Sequence, residues 1–307
     1  MLSGRSILAA VLVAAMVGVA EMLGEREIIF PEAAAILVGF LVAPRMPWRT
    51  TAVRVFISLS VCAALGSLVA MITGVPIAFK LALAYMFAQG VLFASGTTLA
   101  PMISAAVLPV MLGAEGWVYP VSAITIAAVC CLVRSAFEAR GIVRRDLVRP
   151  HPGVWGGAGE FAMRSSIAFA IIVTACAFAS PLVVAPPLLV AFTQMTRRRN
   201  PLAAMPFKVT LVVAACALIG CAMRYASLYF FALPSWLAAA MTMMLVALLF
   251  KRTRLFFPPA AALAILPFLI DSSSLAFYPL YILAGQLSVL AAAKLFRFVA
   301  SGRKVQS

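Results

Sequence analysis

Residues 101–109 read PMISAAVLP, and residues 259–267 read PAAALAILP. Both stretches begin and end with proline, and both are apolar apart from Ser104. A little further along the chain, Tyr119–Pro120 corresponds to Tyr278–Pro279. Offsets of similar size relate earlier pairs: Pro47 and Pro201, Arg54 and Lys208, Cys62 and Cys216, and Gly66 and Gly220. A nearly constant offset across so many prolines and glycines predicts two tandem copies of one unit.

The composition is that of a membrane protein. Of 307 residues, 65% are hydrophobic and 11% are charged, and the mean hydropathy is +1.11. A soluble domain has about 45–50% apolar and about 25% charged residues, because its core must be covered by polar surface. A surface that faces lipid has no such requirement, and helices satisfy their own backbone groups there. We therefore expect an all-α polytopic membrane protein.

Apolar segments of two lengths alternate along the chain. Four short segments each begin at proline, near Pro31, Pro101, Pro186 and Pro258, and proline suits the first turn of a helix because the N–H it lacks has no partner there. Eight longer segments have the length of a membrane span: 6–23, 51–72, 77–96, 117–133, 165–182, 205–223, 235–250 and 276–296. Together they predict about twelve transmembrane segments.

The positive charges predict the orientation. If every segment crosses, all basic residues except Arg26, Lys80 and Arg224 lie on the side of the two termini. Cytoplasmic loops are rich in Lys and Arg, so both termini are expected in the cytoplasm and the chain in the inner (plasma) membrane. The predicted units are a first six-segment repeat over 1–133, a basic cytoplasmic linker over 134–164 and a second, parallel repeat over 165–307.

The residues argue against several classes of function. His151 is the only histidine, and nucleophile, zinc-protease and nucleotide-binding motifs are all missing from the sequence. We therefore expect neither an enzyme nor a cofactor or metal site. The net charge of +15 is spread over short runs between apolar segments, which is typical of membrane loops rather than of a nucleic-acid-binding protein. The six cysteines lie in apolar segments and suit packing.

Polar residues at membrane depth are the candidate substrate contacts, because they are costly there. Helix N-termini inside a bundle can also attract anions. The candidates are Glu32, Arg54, Gln89, Ser104, Gln194, Lys208, Pro258 and Pro259. Other interpretations stay open: the prolines can simply begin short buried helices, Arg54 and Lys208 can extend to the cytoplasmic surface, and Glu32 can complement its own helix dipole or carry a coupling proton.

One stretch resembles a known family. From Phe256 to Phe296, the chain is similar to the signature region of the HPP family of integral membrane proteins, with Phe257-Pro258-Pro259 at the His-Pro-Pro position. This resemblance implies a small-anion transporter or channel, since some members are implicated in nitrite transport. A weaker likeness, carried by FPEAAAILVGFLVAP at 30–44 with Arg54 and Gly66, is to aromatic acid exporters of the fusaric-acid-resistance type.

Three functions remain as hypotheses. The first is a transporter or channel for a small, nitrite-like anion, with its path at the interface of the two repeats. The second is an exporter of amphipathic or aromatic organic acids, and the third is a membrane scaffold or assembly factor that transports nothing. The expected partners are a small anionic substrate and the lipid bilayer, and the sequence leaves a homo-oligomer open.

Overall fold

The computed structural model describes residues 3–143, 153, 155–178, 180–197, 200–230 and 233–302. Throughout these ranges the chain forms helices and connecting turns, with no strand. Several basic residues behind the orientation argument lie outside the described residues: Arg144, Arg145, Arg149, Arg198, Arg199, Arg303 and Lys304. The single histidine, His151, lies outside them as well. The all-α prediction is confirmed.

Eight helices in the described part of the chain are long and apolar enough to cross a membrane, so this is a membrane-embedded protein. They coincide with the eight long apolar segments of the sequence. They are α1 (Gly4–Leu23), α3 (Ala52–Ala70), α4 (Ile77–Ser95), α6 (Val118–Ala139), α7 (Ala158–Phe178), α9 (Pro206–Tyr225), α10 (Ser235–Thr253) and α13 (Tyr278–Gly302). Helices α6 and α7 extend into the predicted linker, which leaves residues 140–157 between them.

The short segments also form helices, and each follows or begins at proline. They are α2 (Glu32–Leu37, continued by a π-helical turn over Val38–Val42), α5 (Pro101–Leu112), α8 (Pro186–Thr196) and α11 (Pro258–Ile265), while α12 (Ser272–Leu275) is a single turn. Every residue of α2, α8 and α11 is buried, as is α5 through Val110. The short helices therefore form the centre of the protein.

The four short helices pack as a closed ring. Helix α2 contacts α5, α5 contacts α8, α8 contacts α11, and α11 returns to α2. The long helices surround this ring and present apolar side chains outward, among them Val11, Leu68, Leu132, Leu211, Leu245 and Leu287. A broken helix end exposed to hydrocarbon would leave backbone groups unpaired, and the surrounding helices prevent that exposure.

Several contacts in the first half of the chain have counterparts in the second half. Helix α3 packs on α5 and α6, and α9 packs on α11 and α13. Gly66 of α3 lies against the backbone of Ala106, and Gly220 of α9 lies against the backbone of Ala264. The hydroxyls of two tyrosines repeat one hydrogen bond: Tyr119 donates to the carbonyl of Ala105 and Tyr278 to that of Leu263. Helices α1 and α10 join the halves on one side, and α4 and α7 join them on the other.

Candidate functional site

A small cavity of about 40 Å³ lies where loops of both halves meet. We call it the inner cavity. The first half contributes the turn before α3 and the turn before α5, and the second half contributes the end of α8 and the turn before α11. Its lining consists of Pro47, Trp48, Thr98, Gln194, Arg197, Asn200, Leu202, Phe256 and Pro258. The cavity thus lies at the junction of the halves, where the sequence predicted a substrate path.

The inner cavity is rich in hydrogen-bond donors. Trp48 is 3% exposed, and its indole Nε1–H is buried without a partner among the described residues. The Thr98 hydroxyl accepts the backbone N–H of Arg49 at 2.7 Å, which leaves its own proton to donate elsewhere. A buried donor without a partner is costly unless a ligand or water satisfies it. These donors therefore suit an anionic or polar ligand.

The inner cavity also has a positively charged side chain in its wall. Arg197 follows α8 directly and is half-buried in the cavity wall. Burial, together with the neighbouring positive charge of Arg49, lowers the pKa of Arg197 below the usual value for arginine. Arginine nevertheless stays protonated in proteins. Arg197 and the exposed Arg49 together make this region positive, and no acidic side chain is among the described residues that line the cavity. Such a region attracts an anion.

A second cavity, of about 190 Å³, lies at the other end of the long helices. We call it the outer cavity, and Glu21, Arg26, Arg224, Ser235 and Phe268 contribute to its lining. The Arg224 guanidinium donates through Nη1 to Ser235 Oγ at 2.9 Å and lies over the Phe268 ring, but its buried Nε has no partner within the described chain. Arg26 pairs with Asp271 at 2.8 Å.

Glu32 of α2 meets Ser104 of α5 in the buried centre of the protein. The Ser104 hydroxyl donates to Glu32 Oε1, whereas Glu32 Oε2 is buried with no partner among the described residues. Glu32 is 1% exposed. Ile29, three residues before Glu32, lines the outer cavity, and Thr98, six residues before Ser104, lines the inner one. The structure thus brings together two of the residues predicted from sequence, at a contact between α2 and α5.

Gln89 makes a full set of hydrogen bonds across the interface of the halves. Its amide nitrogen donates to Ser165 Oγ at 2.7 Å and to the Phe161 carbonyl at 3.1 Å, and its oxygen accepts from Tyr85 at 3.3 Å. Tyr85 in turn shares a 2.9 Å hydrogen bond with Thr193 of α8. These bonds fix α4 to α7 and α8, so the geometry favours a structural role for Gln89.

A matched pair of substitutions tests that role. Gln286 of α13 is also fully buried, but neither of its amide atoms has a partner within the described chain. We expect Gln89→Leu to cost about 1–3 kcal/mol, because it leaves buried partners unsatisfied. Gln286→Leu removes unpaired groups instead, and we expect no loss. Thermal unfolding of the two variants in detergent measures the difference, and equal destabilisation would contradict the assignment.

The remaining candidates are placed less centrally. Arg54 and Lys208 are half-buried near the starts of α3 and α9, and neither side chain has a hydrogen bond or ion pair in the part of the chain described. Gln194 and Pro258 line the inner cavity. Pro259 is buried in the first turn of α11, whose first N–H, on Ala260, donates to the Phe257 carbonyl at 3.0 Å. Donors for an anion would therefore come from side chains rather than from this helix terminus.

Sequence reasoning missed the contributions of Trp48, Thr98 and Arg224. Trp48 follows Pro47, one of the repeat positions, and Arg224 is one of the few basic residues outside the positive-inside pattern. Both signals were available in the sequence. Among the described residues, no cluster of three or more His, Cys, Asp or Glu side chains is arranged to hold a metal ion.

Comparison with protein families, curated proteins and solved structures gave no match to this chain. The candidate site therefore rests on the geometry described above.

Proposed function

We propose that the chain crosses the inner membrane twelve times as two parallel six-segment repeats, with both termini in the cytoplasm. The order of long and short helices is the same in α1–α6 and in the second half from α7 to α13. The paired glycine and tyrosine contacts support the repeat. Both repeats have an even number of crossings, so they would be related by an axis along the membrane normal.

The contacts of α2 support a full crossing by that segment. Near its start, the Phe30 ring lies 6.2 Å from that of Tyr119, at the beginning of α6. Near its end, the Phe40 carbonyl accepts from Arg134 Nη1 at 3.0 Å. From Tyr119 to Arg134, α6 rises about 22 Å, which is most of the roughly 30 Å hydrocarbon thickness. The helical segment from Phe30 to Phe40 itself rises about 15 Å, so it runs alongside α6 across about half of the hydrocarbon thickness.

The protein, in our proposal, is a transporter or channel for a small anion whose path follows the junction of the two halves. The observation that carries this proposal is the pair of arginine-lined cavities at that junction. Helix α10 begins at Ser235 in the outer cavity and ends at Thr253, three residues before Phe256 in the inner cavity. Its 19 residues span about 28 Å, so the two cavities lie near opposite membrane faces.

The cavity sizes and charges indicate the substrate class. The inner cavity, at about 40 Å³, has room for an ion of a few atoms, since one water occupies about 30 Å³ of liquid. Arginine charges and unpartnered N–H donors favour an anion. A nitrite-like ion fits both criteria, and a substituted aromatic acid is too large for the inner cavity as it stands. In this proposal, the anion passes the Glu32–Ser104 contact on its way from one cavity to the other.

Anion flux into liposomes tests the proposal. We expect purified protein to accelerate the uptake of nitrite, and Arg197→Gln to lower the rate about tenfold or more, as the loss of a charged hydrogen bond would. Arg54→Gln is the matched control, because Arg54 lines neither cavity. No flux across a panel of nitrite, nitrate, formate and chloride would refute the proposal and favour the scaffold hypothesis.

One further observation favours the second hypothesis. An apolar groove of about 370 Å³ lies between α1 and α6, with α2 as its floor. Its lining includes Leu12, Val19, Leu37, Val121 and Val129. Such a groove could admit an amphipathic organic acid from the lipid. The substitution Ala33→Phe fills this groove. If it blocked the export of benzoate-like acids but left nitrite flux unchanged, the second function would be supported instead.

A further inference from the structure

We infer that Glu32 is a proton-binding site that couples each anion passage to the movement of a proton. This inference rests on the proposed anion path and adds its coupling ion. Three observations carry it: the burial of Glu32, the unpartnered carboxylate oxygen, and the contact with Ser104 on the helix that follows the Thr98 turn of the inner cavity.

Within the described part of the chain, no cation pairs with Glu32. Helices α5 and α11, which pack against α2, contain no titratable residue. Helix α1 carries its titratable groups, Arg5 and Glu21, at its two ends, and Glu21 accepts the Ser235 backbone N–H. Helix α6 also packs against α2, and its titratable groups on that side are Tyr119, Cys130 and Arg134. Cys62 of α3 lies behind Tyr119, and Glu27 lies in the turn before α2.

None of these groups offers Glu32 a balancing positive charge at contact distance. The Arg134 guanidinium is bonded to the Phe40 carbonyl at the opposite end of α2, and its Nε donates to Glu138 at 2.7 Å. The Tyr119 hydroxyl donates to the Ala105 carbonyl rather than to Glu32. An isolated carboxylate in an apolar interior is strongly destabilised, and binding a proton removes that cost.

The protonation state would decide whether an anion can pass. A charged Glu32 repels an anion at the same point of the path, because two like charges in a low-dielectric interior repel strongly. A protonated Glu32 presents an O–H at the otherwise unpartnered Oε2, and that donor can hydrogen-bond to the passing anion. The anion therefore passes only when Glu32 holds a proton, which it takes from water in one cavity and releases to water in the other. On uptake, one O–H bond of a hydronium ion breaks as the Glu32 O–H forms, and release to water reverses this exchange.

The experiment measures both fluxes in the same liposomes. The purified protein is reconstituted with a pH-sensitive dye inside, and a nitrite gradient is applied without any pH gradient. We expect protons to enter with nitrite in a fixed ratio, and an inward proton gradient to drive nitrite accumulation. Glu32→Gln has the same shape but cannot release a proton, so its proton flux should fall to the level of empty liposomes. Glu25→Gln, an exposed residue outside both cavities, should keep the wild-type ratio.

The outcomes separate this inference from the proposed function. Nitrite flux without proton flux in the wild-type protein would overturn the coupling and leave the anion path standing, whereas no flux at all would overturn the path. Folded Glu32→Gln protein that still moves protons with nitrite, or that cannot exchange labelled nitrite across the membrane, would overturn the role of Glu32. Should that variant fail to fold, Glu32→Asp keeps the carboxylate but shifts it by one methylene. Its coupled flux should then have an altered pH profile, and an unaltered profile would count against the assignment.

Discussion

Gly66→Ala should sharply reduce the amount of folded protein, although it adds a single methyl group. An ideally placed Cβ at Gly66 would lie 2.6 Å from the Cα of Ala106, and at Gly220 it would lie 2.7 Å from the carbonyl carbon of Ala264. These neighbours are helix backbone, so the new atom cannot be accommodated by a rotamer change. Forcing α3 away from α5 costs about 1–3 kcal/mol or more, as overpacking does elsewhere. The same loss is expected for Gly220→Ala in the second half.

Gly90→Ala is the matched control. Gly90 is also inside a long helix, α4, but a Cβ there would meet nothing within 4 Å. Since alanine favours helix more than glycine does, this variant should be as stable as the wild type or slightly more so. Thermal unfolding followed by size-exclusion chromatography in detergent compares the three variants. Equal stability of Gly66→Ala and Gly90→Ala would show that α3 and α5 are not in backbone contact.

Arg164→Met should lower both the free energy of unfolding and the nitrite flux, and this is the second large effect that we expect. Arg164 is 1% exposed, and its guanidinium donates to Thr196 Oγ1 at 2.9 Å and to the Trp155 carbonyl at 3.2 Å. It also lies 5.0 Å from the centre of the Phe296 ring. The indole of Trp155 donates to the Thr97 carbonyl at 2.7 Å. Arg164 of α7 is therefore connected directly to α8 and, through Trp155, to the turn before α5.

Losing these two charge-assisted bonds should cost about 2–4 kcal/mol. This is less than the sum of about 1.5–3 kcal/mol for each bond, because a buried charge no longer has to be desolvated. Thr196 and Thr97 immediately precede Arg197 and Thr98, which line the inner cavity. Nitrite flux should therefore fall together with stability. Arg164→Lys should not restore either property, because an ammonium lacks the planar geometry that reaches several partners. Arg54→Met serves as the control, and comparable unfolding midpoints for the two methionine variants would contradict this role for Arg164.

The helices were predictable from sequence because length and apolar character are local properties. Most long segments, such as 77–96 around α4 (Ile77–Ser95), matched to within a few residues, although α6 and α13 each end about six residues beyond the predicted segment. Prolines such as Pro101 and Pro258 gave the starts of short helices. Residues 165–182 were a poorer estimate of α7, which begins at Ala158. The polar residues Glu160 and Arg164 belong to its first turns, and their charge conceals the helix from a hydropathy profile.

The candidate site was less predictable, because its parts are brought together only by packing. Glu32 and Ser104 were each singled out as polar residues at depth, yet nothing local indicates that helices 72 positions apart in sequence bring them into contact. Gln89 was also singled out as a polar residue at membrane depth, but its hydrogen bonds to α7 indicate that it holds two helices together. Trp48 lies in a loop, where hydropathy gives no information on burial.

The two halves are alike in packing but differ in chemistry at their junction. Where the first half has Glu32, the aligned position in the second half is Pro187, and Ala262 aligns with Ser104. A dimer of identical subunits would be obliged to place two carboxylates about its axis. Joining both halves in one chain removes that obligation. Of the two aligned short helices α2 and α8, only α2 carries an acid, so the proposed proton site would bind one proton per molecule.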